Sequence, residues 1–212
     1  GEVGPIASGF FELDRERMGY RTRPPEINEH AGQIVEQIWS DVRSAPDGER
    51  PGPSPPFEGL RVLDFGIGGV GVEAARLFGE YGADVIKVER PRAGDDTRTW
   101  GPPFAGGESA YYLCCNRNKR SIAVDMKDPD GAALVTALAR VSDVVVENFT
   151  PGLTKRFGLD YETLRRVNPR LVYCSITAYG QDGPYRDRPG YDMVLSAVGG
   201  LMWITGERGG QP

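Results

Sequence analysis

Two rhythms of apolar positions alternate along most of this chain. Leu60 to Phe65 (LRVLDF) is a short, nearly continuous apolar run of strand length, and Val72 to Tyr81 (VEAARLFGEY) repeats its apolar residues at helical spacing. Ala83 to Glu89 (ADVIKVE) predicts a second strand. Further strands are predicted over Ser121 to Val124, Asp143 to Glu147 (DVVVE) and Leu171 to Thr177 (LVYCSIT), with helices over Gly131 to Val141 and Tyr161 to Val167. Strand, helix, strand units joined by short connections predict an α/β fold: a Rossmann-like, mainly parallel sheet with flanking helices. Beyond Gly180 turn residues dominate, apart from an apolar stretch from Met193 to Ile204 that fits a helix or a strand.

Upstream of Leu60 the pattern differs. Ile27 to Val42 (INEHAGQIVEQIWSDV) places Ile34, Ile38 and Trp39 on one helical face, with Asn28 available as a cap. A single amphipathic helix does not fold alone, so its apolar face needs a surface elsewhere. Ser44 to Phe57 (SAPDGERPGPSPPF) is too rich in Pro, Gly and charge for helix or ladder and reads as a linker. The expected organisation is a tail over 1–43, a linker over 44–58 and one main domain over 59–212, in keeping with a length of 212 residues.

Composition narrows the function classes. The chain is 39% hydrophobic and 26% charged, and no apolar run approaches the roughly 20 residues that span a bilayer. A net charge of -5 argues against a nucleic-acid surface, which needs excess Lys and Arg. The N-terminus lacks the basic start and apolar stretch of a secretory signal, so a cytoplasmic protein acting on small molecules, without membrane or nucleic acid, is expected. Cys114, Cys115 and Cys174 are odd in number and lack zinc-ligand spacing, so no metal is expected. Within YYLCC and LVYCSI they read as packing residues rather than nucleophiles.

The most chemically loaded local motif is Gly66, Gly68 and Gly71 in GIGGVG, between a predicted strand and a predicted helix. Three readings fit it. A nicotinamide-dependent oxidoreductase would set a pyrophosphate against the helix N-terminus and bind the ribose with Glu89, at the end of the second strand. Alternatively the glycines form a close-packed turn that binds nothing. The third reading comes from the words around the motif.

The segments EGLRVLDF, GADVIKVERP, GDDTRTWGPPF, NRNKRSIAVDMK, DVVVENFTPG, RFGLDYETLRRVNPRLVYCSITAYGQDGPY and DRPGYD, in that order, resemble the N-terminal region of family III coenzyme A transferases from about Phe57 onward. The resemblance implies part of the CoA-binding large domain of such an enzyme. Its glycine loop, Gly68, Gly69 and Val70, would approach the thioester end of CoA; here GVG and a charged Glu73 replace the family's AGP-like segment. Arg90 would contact the nucleotide end, Val124 the adenine and Lys127 a phosphate. Asn148, Phe149, Arg156 and Phe157 would hold the adenosine and pyrophosphate. Asp95, Asp96 and Arg98 read as a salt-bridged turn or as part of the acyl-binding region, and Asn116, Asn118, Lys119 and Arg120 as a family signature or, equally, a polar turn before a strand.

The chemistry the resemblance implies is transfer of CoA between an acyl-CoA and a carboxylic acid. An aspartate attacks the donor thioester to give a mixed anhydride, which is opened to an enzyme-CoA thioester. No cofactor is bound permanently; CoA is substrate. The nucleophilic Asp is expected beyond Pro212, with Asp192 in the GYD word a supporting residue at most. The racemase branch carries a histidine where Tyr191 stands, which disfavours a racemase. PPEINEHAGQIVEQIW resembles the last segment of such an enzyme, so the chain is expected to join one module's tail to another's head. An interlocked homodimer or a second CoA-transferase module is the expected partner, and a non-catalytic half of a tandem enzyme is the alternative.

Overall fold

A computed structural model of the chain describes residues 11–13, 16–18, 21–40, 55–207 and 209–210. Its centre is a five-stranded, wholly parallel sheet of β1 (Arg61–Asp64), β2 (Asp84–Glu89), β3 (Lys119–Ala123), β4 (Val144–Glu147) and β5 (Val172–Ser175). The spatial order is β3-β2-β1-β4-β5, so the first strand is central and the order reverses beside it. This is the predicted Rossmann-like sheet, with strand ends shifted by one or two residues. The helices are α1 (Ala31–Ser40), α2 (Val70–Glu80), α3 (Ala110–Cys115), α4 (Pro129–Arg140), α5 (Leu153–Arg156), α6 (Tyr161–Val167), α7 (Asp192–Val198) and α8 (Leu201–Ile204). Two short hairpins, Phe11–Leu13 with Glu16–Met18 and Phe104–Ala105 with Glu108–Ser109, lie outside the main sheet.

Strand alternation decides which side chains meet which layer. Leu63, Ile86, Ile122 and Val145 project to one face, where they pack with Ile34 of α1, Val135 and Leu138 of α4 and Leu164 of α6. Val62, Val85 and Val144 project to the other, against Ala75 of α2. On that second face charge replaces hydrocarbon: Asp64, Lys87 and Glu89 toward the carboxyl ends of their strands, and Lys119 at the start of β3, are all buried. Aligned register sets Asp64 beside Lys87.

The N-terminal helix differs in detail from its sequence reading. It starts at Ala31 rather than Ile27, because Asn28 adopts a left-handed backbone (φ 63°) and its side chain accepts a hydrogen bond from Ala123 N instead of capping α1. Ile34 is buried and Ile38 packs on the same core, but Trp39 is 80% exposed. One residue past Ile38 is a rotation of about 100° around the helix, which carries Trp39 off the apolar stripe. The Met193 to Ile204 stretch forms α7 and α8, both without buried residues. The linker reading over 44–58 falls mostly on residues 44–54, outside the described residues. Among the described residues no helix is long and apolar enough to cross a membrane.

Candidate functional site

The turn joining β1 to α2 lies at the carboxyl ends of the parallel strands, where open α/β sheets bind ligands. Its backbone is held peptide by peptide. Gly66 N donates to Asp64 Oδ1 at 2.8 Å, and Lys87 Nζ donates to Gly66 O at 2.9 Å. Asn148 grips the next residue through both of its peptides, accepting from Ile67 N and donating to Ile67 O, each at 2.8 Å. Gly68 N reaches Asp95 Oδ1 at 3.4 Å. There is no room for a side chain at position 66, where a Cβ would stand 2.7 Å from both Asp64 Oδ1 and Val72 N. Gly68 sits at φ 78°, a conformation that favours glycine.

Four buried ions support this turn. Lys119 Nζ meets Asp64 at 2.8 Å, Lys87 Nζ meets Asp95 at 2.7 Å, and Lys87 and Asp64 lie 3.7 Å apart, with every side chain at most 1% exposed. Two positive and two negative charges balance. Lys119 also donates to Val72 O at 2.8 Å in the first turn of α2 and to Asn116 Oδ1 at 3.1 Å. Burial works to lower the Lys87 pKa, but Asp64 and Asp95 outweigh it and the value is raised. Lys119 faces Asp64 and the like charge of Lys87, and chiefly through burial it is pulled down to about 8.

A second buried cluster adjoins the first. Arg98 clamps Glu89 through two nitrogens, at 2.8 and 3.0 Å, donates to Glu108 at 2.7 Å, and lies with its guanidinium carbon 3.9 Å from the centre of the Tyr112 ring. Glu89 Oε2 accepts from Asp95 N at 2.9 Å, which ties the two clusters together. The Glu89 side chain is fully buried. This removes the residue on which the nicotinamide reading relied: Glu89 is committed to Arg98 and cannot present its carboxylate to a ribose. Within the GDDTR word each charged residue pairs outside it, Asp95 with Lys87, Asp96 with Arg90, and Arg98 with Glu89 and Glu108.

Above these ions a small, open crevice lies between residues that include Gly66, Ile67, Val88, Arg90, Met126 and Phe149. It gathers only some of the site residues read from sequence. Arg90 and Phe149 line it, while Asn148 lies behind the turn and holds it in shape. Gly68 and Gly69 face away toward an aromatic pair, since a Cβ on Gly68 would stand 3.5 Å from the Trp100 ring and one on Gly69 3.4 Å from Tyr111 Oη. Val70 is 64% exposed at the start of α2. Val124 is a core residue, 6% exposed, because it continues the alternation that buries Ile122; Met126 lines the crevice in its stead. Lys127 is exposed beside Met126, and Arg156 is exposed at the end of α5. Phe157 is half-buried against the same core as Phe149. Asp192 lies exposed in the first turn of α7.

Sequence reasoning missed Asp64 and Lys87, the ions that shape the turn. Their signal was present: a charged residue inside an otherwise apolar strand, as in LRVLDF and DVIKVE, needs a buried partner. The cysteines divide. Burial pushes the Cys115 thiol up to about 12, as suits a packing residue, whereas Cys114 is exposed.

Glu147, at the carboxyl end of β4, accepts from Phe149 N at 2.7 Å and from Ser175 Oγ. Burial raises its pKa above the usual 4.5 despite these bonds. A carboxyl with a raised folded-state pKa gives stability that is present below the unfolded value and lost as pH climbs through the folded one. Glu147→Gln keeps the shape and removes this loss, so between pH 4.5 and 7 the melting temperature of the variant should rise relative to the parent. A relative fall over that range, followed by calorimetry, would contradict the assignment.

The sequence model of CoA-transferase family III matches residues 57–212. Over 157 residues, 74% of this chain and 36% of the other, the sequence is 56% identical to human succinyl-CoA:glutarate CoA-transferase. Over 170 residues, 77% of this chain and 42% of the other, it is 51% identical to succinate--glutarate CoA-transferase of Agrobacterium fabrum. Among solved structures, a CAIB/BAIF family protein from Brucella suis superposes with a TM-score of 0.71 at 46% identity, covering 76% of this chain and 43% of that one. The chain thus spans about two fifths of the length of these relatives. With its parallel sheet, its ion-braced glycine turn and this match over nearly three quarters of its residues, the chain belongs to CoA-transferase family III.

Proposed function

We propose that this chain is the CoA-binding part of an enzyme that moves CoA between an acyl-CoA and a carboxylic acid, with succinyl-CoA and a dicarboxylate such as glutarate as the substrate pair. The observation that carries the reading is the crevice at the carboxyl ends of β1 and β2, combined with 56% identity to a protein named for that pair. Val88, Met126 and Phe149 offer apolar walls for the adenine. Among the described residues Arg90 is held by the exposed carboxylate of Asp96 and by Gly94 O at 3.2 Å, a surface pairing worth little and readily exchanged for a phosphate. Lys127 and Arg156, exposed nearby in sequence to Met126 and Phe157, are the further cations assigned to the phosphates.

The pantetheine arm then runs toward Gly68, Gly69 and Val70. Gly69 opens α2 without a side-chain cap, so the first amides of the helix are available to a thioester oxygen. The carboxylate nucleophile is assigned to an aspartate outside this chain. It attacks the donor carbonyl and releases CoA thiolate. The thiolate attacks the aspartyl carbonyl of the anhydride, freeing the donor acid and leaving an enzyme-CoA thioester. A second CoA-transferase module is the proposed partner for α7 and α8, where Met193, Leu201, Trp203 and Ile204 are exposed.

Calorimetric titration tests the reading directly. CoA should bind the 212-residue protein, and Arg90→Ala should weaken it by about tenfold, the worth of one charge-assisted phosphate contact. NAD should give no heat. Binding of NAD without a response to CoA would overturn the reading.

A further inference from the structure

Residues 21–40 lie outside the stretch matched by the family, yet they are joined closely to the domain. β3 is an edge strand, and at Ser121 and Ala123 its outward polar groups are met by this segment. His30 N donates to Ser121 O at 3.0 Å and Ser121 N to His30 Nδ1 at 3.3 Å. Ala123 N donates to Asn28 Oδ1 at 2.8 Å, and Asn118 N to Thr22 O at 3.0 Å. Ile34 then anchors α1, 1% exposed, in the core. An edge covered in this way is closed to pairing with other chains.

Two of these contacts lead inward. Pro25 O accepts from Arg98 at 3.1 Å and from Tyr112 Oη at 2.9 Å, and Arg98 holds Glu89. Asn28 N donates to Ser121 Oγ at 3.1 Å, which donates to Glu89 Oε1 at 3.0 Å. Both routes converge on Glu89, whose other oxygen holds Asp95 N. Asp95 in turn holds Gly68 N and Lys87, and Lys87 holds Gly66 O. From the N-terminal segment to the glycine turn the buried polar groups form one connected set.

We infer that residues 21–40 act as a strap whose docking on the edge of β3 positions the glycine turn, so that strap and turn open and close together. Connected buried hydrogen bonds of this kind respond jointly, since loss of one partner leaves the next group unpaired in a medium of low dielectric. The coupling itself requires no ligand. Its consequence for CoA rests on the function proposed above.

Hydrogen exchange on the 212-residue protein, read by mass spectrometry, tests the coupling. Asn28→Gly tolerates the left-handed backbone but removes the acceptor for Ala123 N, and Tyr112→Phe removes one donor to Pro25 O. Each variant should speed exchange in a peptide covering 24–40 by about tenfold, and in one covering 65–72 by at least about threefold, as sub-global opening predicts. A peptide covering 161–176 should not change. A strap that opens while the 65–72 peptide keeps its parent rate overturns the inference. Ile34→Ala is a stronger lesion, and if it raises exchange everywhere the two milder variants decide. Addition of CoA should slow exchange in both the turn and the strap of the parent; absence of CoA binding would sink the proposed function and leave the ligand-free result standing.

Discussion

Replacing Lys87 by Met should lower the unfolding free energy by about 3–5 kcal/mol, the usual result of removing one partner from a buried ion cluster. The side chain is close in volume, so the loss is electrostatic. Asp95 and Asp64 would share the single remaining ammonium of Lys119, which lies 2.8 Å from Asp64. Burial already works against the Asp95 carboxylate, and Lys87 is foremost among the groups that hold its pKa below the ordinary value. The variant also removes the donor to Gly66 O, so CoA titration should lose its signal under conditions where the protein remains folded. Urea denaturation of the parent, Lys87→Met and Lys87→Met/Asp95→Asn measures the cycle. The double variant should recover part of the stability, since the uncompensated charge is gone. A loss below about 1 kcal/mol in the single variant would show that the cluster relaxes around the missing ammonium.

Arg98→Met should be comparably damaging, again about 3–5 kcal/mol. Glu89 is fully buried and would lose its cation, while Glu108, Tyr112 and Pro25 O each lose a donor. Arg98→Lys should recover little, because an ammonium cannot reproduce a planar fork that reaches Glu89 twice, Glu108 once and Pro25 O together. Denaturant midpoints for Arg98→Met, Arg98→Lys and Arg98→Met/Glu89→Gln separate the charge effect from the geometry. Lys as good as Arg at this position would contradict the assignment.

The five strands of the main sheet and the helices α1, α2, α4 and α6 were legible because their cause is local. The apolar run in DVVVE and the helical spacing in VEAARLFGEY survive into the structure with ends moved by a residue or two. α3 was not legible: YYLCC reads as a plain apolar run, and its helical start comes from Ser109, whose hydroxyl accepts from Tyr111 N. The glycine turn was legible as a turn but not as a particular one. Its three glycines fit a dinucleotide fingerprint, a CoA loop and an empty turn equally well on spacing alone.

By itself, then, the sequence determined which segments form the strands and several of the helices, their succession along the chain, and the family words from Phe57 onward, since each depends on residues close together along the chain. Only the tertiary structure decided what the charges do. Glu89 meets Arg98 rather than a ribose, Val124 enters the core while Met126 lines the crevice, and Pro25 joins the ion clusters from far upstream. The physical reason is that a buried charge takes whichever partner the packed layers bring within about 3 Å, and separation along the sequence carries no record of that choice.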